Sequence, residues 1–146
     1  MNGMMKLNAI AFGLLMIASC STNNKASMDD VNDIEIVRNQ FQRGRVESQT
    51  INAKKTILIV NSDTIEKATN KETWQKVKGF VDKLDLNNLV KLSVAENAKA
   101  HQSDGSAAVN IKINSDQKES QSPTYDKGKA PKEIYELDKF LESLSK

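Results

Sequence analysis

Most of the groups by which proteins catalyse or bind metals are scarce here: the 146 residues include one cysteine, Cys20, one histidine, His101, one tryptophan, Trp74, and two prolines. A lone thiol excludes an intrachain disulfide, so a domain built from this chain must be held by its apolar core alone. A lone histidine leaves few ligands for zinc, which usually takes three or four from His, Cys and carboxylates. Aromatic residues make up only 5%, which makes that core mainly aliphatic. The six glycines form no phosphate-cradling loop, and no serine stands in a Gly-x-Ser-x-Gly elbow. Neither sign of charge dominates, with 21 Lys and Arg against 19 Asp and Glu. The two signs alternate, as from Glu72 to Lys76 and in Asp82-Lys83, which leaves no basic stripe for nucleic acid. The expectation is a protein that is not an enzyme, with no cofactor, no metal and no nucleic-acid partner.

Long hydrophobic runs are also missing, with one partial exception. Leu7 to Ala18 is apolar apart from Asn8, follows the single positive charge of Lys6 and precedes the first acid, Asp29. It falls short of the roughly 20 residues that span a bilayer and has the layout of a signal peptide. It ends in Ile17-Ala18-Ser19-Cys20. A branched aliphatic, two small residues and a cysteine resemble the lipobox of bacterial lipoproteins. That resemblance implies cleavage before Cys20 and a diacylglycerol on its thiol, usually with acylation of the new amino group. Two or more acyl chains hold a protein stably, because each buried methylene contributes about 0.8 kcal/mol. The expected location is the bacterial cell envelope, with the membrane bound through the lipid on Cys20. Ser rather than Asp at position 21 resembles the pattern passed on to the outer membrane.

Three segments follow: residues 1–19 as signal peptide, 20–33 as lipidated cysteine and flexible tether, and 34–146 as a single α+β domain. Within the domain, Ile34, Ile36 and Phe41 read as a strand, with a turn near Arg43-Gly44-Arg45 and a weaker continuation through Val46, Thr50 and Ile51. Thr56 to Val60 is a β-branched run that predicts a central strand buried on both faces, closed by Asn61-Ser62-Asp63. Thr69 and Glu72 have capping-box spacing. Trp74, Val77, Phe80, Val81 and Leu84 then form a helical stripe, and Gly79 within it suggests close packing on the sheet. Leu86 to Leu92 predicts a bend or a short second helix.

Asp104-Gly105 is a turn signal, after which Ala107, Val109, Ile111 and Ile113 alternate with polar or small residues as a half-buried strand. Lys118 to Tyr125 reads as an edge strand because of Pro123. Pro131 stands where a last helix would open, with Ile134, Leu137, Phe140, Leu141 and Leu144 on its stripe. Each of these lies 60 residues after a counterpart in the first helix. The preceding strands do not keep that offset, so two independent sheet-packing helices are the simpler account. The predicted fold is α+β, a largely antiparallel sheet with two amphipathic helices packed on one face.

His101, three residues before Asp104, and the neighbours Tyr125 and Asp126 are the candidate binding surface. Tyr125 is large and stands near a helix N-terminus that could receive an acidic partner. The competing account packs Tyr125 over the edge of the core, and Trp74 belongs with the core for the same reason. Trp74 opening a helix, Asp104-Gly105 before an alternating strand, and Asp126-x-Gly128-x-x-Pro131 before a last helix also resemble a group of small bacterial lipoproteins without an assigned activity. That likeness spans most of residues 34–145, rests on turns and caps and implies no activity. The expected role is a non-catalytic binding or structural module with an envelope protein or polymer as partner. The alternative is an envelope enzyme accessory or inhibitor acting through Tyr125, Asp126 and His101.

Overall fold

The computed structural model describes residues 34–99, 105–115 and 118–146. The lipobox, the tether and His101 lie outside them. Four strands come first: β1 (Glu35–Gln42), β2 (Arg45–Ile51), β3 (Lys55–Val60) and β4 (Asp63–Ala68). They form a meander, and two left-handed residues make its tight turns. Gly44, at φ 74°, takes the second central position of the β1–β2 turn, where glycine is favoured. Asn61, at φ 54°, opens the β3–β4 turn, and its side-chain oxygen accepts from Val46 N–H at 3.0 Å, fastening the turn to β2.

Helix α1 (Lys71–Val81) follows, then single 3-10 turns at Leu89–Lys91 and Glu96–Ala98, β5 (Ala108–Ser115), β6 (Lys118–Gln121), β7 (Tyr125–Asp126) and α2 (Tyr135–Leu144). The strands join into one seven-stranded antiparallel sheet in the order β4-β3-β2-β1-β5-β6, with β7 also paired to β5. The fold is α+β, as the sequence predicts. Both helices lie on one face. Ile36, Ile51 and Ile113 stand on one rung of the register, and they share a core with Val77 and Val81 of α1 and Leu137 and Leu141 of α2. Phe80 and Phe140 close the helix pair with ring centroids 5.7 Å apart. Trp74 packs against this core, as expected.

Several local expectations are corrected. The apolar run Thr56 to Val60 is not central: β3 is next to the edge, and Ile59 is 38% exposed. The middle of the sheet belongs to β1 and β2, which carry Arg38, Gln40 and Gln49 on their buried face. A second strand, β4, follows the Asn61-Ser62 turn where the sequence pattern marks only a turn. The cap of α1 is Asn70, whose side chain accepts from Thr73 N–H at 2.7 Å. Thr69 instead meets the hydroxyl of Thr56 at 2.9 Å. A Cβ on Gly79 would meet nothing within 4 Å, so no close approach explains that glycine. Pro131 does not begin α2 but a turn before it, in which Ile134 N–H donates to the Pro131 carbonyl at 3.1 Å.

The edge beside β5 is broken rather than continuous. Lys112 pairs with Gln121, whereas Val109 pairs with Tyr125, so the register slips by one residue across Ser122-Pro123-Thr124. Proline has no N–H to give the ladder, and the neighbouring Ser122 supplies what is needed. Its hydroxyl oxygen accepts from Ile111 N–H at 3.0 Å. The slip works as a bulge: alternation alone would turn Tyr125 to the face opposite Ser120, and the extra residue turns it back to the core.

Candidate functional site

On its helix-covered face the sheet changes character along β1. Beyond the rung of Ile36 comes Arg38 between Gln49 and Ile111, then Gln40 between Glu47 and Val109. Arg38, Gln40, Glu47 and Gln49 are all buried there, and Tyr125 stands beside Val109. The opposite charge arrives from α2. Asp138 is four residues after Ile134 and one after Leu137, so helical spacing puts it on the buried stripe. Arg38 Nε donates to Asp138 Oδ1 at 2.7 Å, with side chains 1% and 4% exposed. Arg38 Nη1 donates to Gln40 Oε1 at 3.3 Å.

The cluster is incompletely satisfied. Arg38 Nη2, both polar atoms of the Gln49 side chain and the Tyr125 hydroxyl are buried without hydrogen-bond partners. Burial raises the Tyr125 phenol well above its ordinary value, and the nearby Asp138 carboxylate adds to the effect. These groups hold charge and hydrogen-bonding capacity, but a substrate cannot reach them. The Asp138 carboxylate is committed to a guanidinium and only 4% exposed.

Tyr125 is fully buried and Asp126 is 2% exposed, so neither side chain forms the surface that the sequence suggested. The bulge at Pro123 sends Tyr125 inward. Asp126 is held in its turn by Lys129, whose N–H donates to the Asp126 carbonyl at 2.9 Å and whose ammonium lies 3.6 Å from its carboxylate. Tyr125 is therefore a packed residue at the edge of the core. His101 lies outside the described residues. Among the described residues no three His, Cys, Asp or Glu side chains gather as a metal site, and no helix is long and apolar enough to cross a membrane.

The residues missed by sequence reasoning were Arg38 and Asp138. A signal was there: each interrupts an apolar pattern at a core-facing position, and they carry opposite charges.

Among the described residues, the other face of the sheet contributes nothing to the core. Three side chains form a polar row across its middle: Ser48 Oγ donates to Asn39 Oδ1 at 3.0 Å, and Asn39 Nδ2 donates to Asn110 Oδ1 at 3.1 Å. Beside that row, Phe41 and Val46 are cross-strand neighbours, 44% and 51% exposed, and Ile59 stands opposite Ser48. An apolar group next to ordered amides suits the flat side of a partner more than it suits chemistry. No family model, curated protein or solved structure matches this chain.

Proposed function

We propose that this protein is a lipid-anchored bacterial envelope protein, held through Cys20, whose α+β domain is a non-catalytic binding module for an envelope protein or polymer. The observation that carries the reading is the sheet face that no described element covers, with Phe41, Val46 and Ile59 exposed beside the Ser48-Asn39-Asn110 row. Exposed apolar groups rimmed by polar ones mark interaction sites more often than active sites. The sealed Arg38–Asp138 pair supports the same reading, since this charge pair is out of reach of solvent.

The anchor is tested by Cys20→Ser, which should move the full chain from the membrane fraction to the soluble one. Continued sedimentation with membranes would refute the lipidation. The module is tested by placing a photo-crosslinking side chain at Phe41 or at the exposed Lys132 in cells. Position 41 should give one reproducible adduct that Val46→Glu removes. Equal labelling from both positions, or none at 41, would exclude the open face as the binding surface.

A further inference from the structure

We propose that two copies of this chain pair edge to edge through β4, antiparallel across a two-fold axis at Ile65, to make one sheet running through both protomers. This rests on the free edge of the sheet and stands or falls separately from the open-face reading.

The two edges of the sheet differ. β6 has only four residues and runs into Pro123, which blunts pairing. β4 has six residues and no proline, no described element covers it, and all six residues are exposed. Ile65 is 60% exposed. Val60 and Asp63 close a two-residue turn, so Asp63, Ile65 and Lys67 bond to β3. The N–H and C=O groups of Thr64 and Glu66 therefore point outward from the edge.

Geometry narrows how a second β4 could dock. A two-fold axis perpendicular to the sheet keeps the helix-covered faces together, so residues of like parity meet. With Ile65 on the axis, Ile65 faces Ile65 of the second copy. Asp63 then faces Lys67 on the same side of the sheet, twice by symmetry, and Thr64 faces Glu66 with outward backbone groups to exchange. Moving the axis to Glu66 sets two carboxylates against each other, and moving it to Thr64 sets Asp63 against Ile65. Only the register centred on Ile65 pairs both charges and buries the isoleucine.

The side chains are available for this. Among the described residues Asp63 has no ionic partner. Lys67 Nζ donates to the Leu144 carbonyl at 3.2 Å, and an ammonium has two more N–H groups to offer. On the same side, Leu58, Ile65 and Leu144 border a hollow of about 130 Å³, which a second Ile65 would help to close.

The test adds one cysteine at a time to the full chain, with the unchanged chain, carrying only Cys20, beside each variant. Residues facing their own copy in a non-hydrogen-bonded pair have Cα atoms about 4.5 Å apart, within disulfide reach. Ile65→Cys should give a disulfide-linked dimer on mild oxidation. Thr64→Cys and Glu66→Cys face each other rather than themselves, about 7–8 Å from their own copies, and should give far less. In the Ile65→Cys background, Asp63→Lys or Lys67→Asp alone should cut the dimer about tenfold, and the two together should restore it. Equal dimer from all three cysteines, none from position 65 in a chain with an unchanged thermal midpoint, or a double exchange that stays low would each overturn the proposal.

Discussion

Arg38 Nε and Asp138 Oδ1, 100 residues apart in the chain, meet at 2.7 Å and tie the middle strand of the sheet to the last helix. Removing one partner strands the other charge in the core, where Arg38 already has an unpartnered Nη2. Asp138→Asn should therefore lower stability by about 3–5 kcal/mol, read from the urea midpoint. Replacing both, as Arg38→Met with Asp138→Leu, should recover most of that loss. A single substitution without effect would mean that the pair is not sealed from water.

The Tyr125 phenol gives the protein a weakness at high pH. Its pKa in the fold is raised by burial and then by Asp138, while in the unfolded chain it loses its proton from about pH 10 upward. Above pH 10 the folded state thus holds a proton that the unfolded state has released. The contribution is complete below pH 10 and is lost as pH rises beyond it. Tyr125→Phe removes the titrating group and should flatten the alkaline decline. A decline of equal slope in both proteins would assign it to other groups.

Asn70→Ala should cost about 1 kcal/mol, the usual value of an N-cap. Glu72→Ala, which removes the side chain that a capping box at Thr69 would need, should change stability by less than about 0.5 kcal/mol, since its bond to Lys76 at 3.0 Å joins two exposed side chains. Thermal melts of the two variants separate the observed cap from the capping box expected at Thr69. A larger loss for Glu72→Ala would reverse the assignment.

Gly79 stands in the middle of α1 with open space where a Cβ would go. Gly79→Ala should stabilise the protein by about 0.5–1 kcal/mol through helix propensity and a less flexible unfolded chain. A loss of stability would reveal a contact that this geometry does not contain.

Patterns with a clean period could be read from the sequence. Ile111 and Ile113 alternate as the strand that they form, and Val77, Val81, Leu137 and Leu141 repeat as the helical stripes that they form. Elements whose side chains break the pattern could not be read in this way. β4 has one apolar residue, Ile65, between alanine and charged or hydroxyl groups, and it is a strand because a tight turn lays it along β3. The apolar run of β3 pointed to the middle of the sheet, yet the middle holds Arg38 and Gln49, which long-range partners make tolerable. For the site, the neighbourhood of Tyr125 stood out but its direction did not. One extra residue at Pro123 turns the ring inward, and periodicity carries no trace of a bulge.

The position of β1 between β2 and β5 also implies an order of folding. The meander from β1 to β4 closes through short turns, so it can form early, whereas β5 lies some seventy residues downstream of β1 and must close a long loop. Until β5 arrives, β1 is itself an open edge. Until α2 arrives, Arg38 must remain in water, because its counter-charge lies 100 residues downstream. The expected early species is a four-stranded ribbon with its future interior still wet, which can seal only when the C-terminal helix docks.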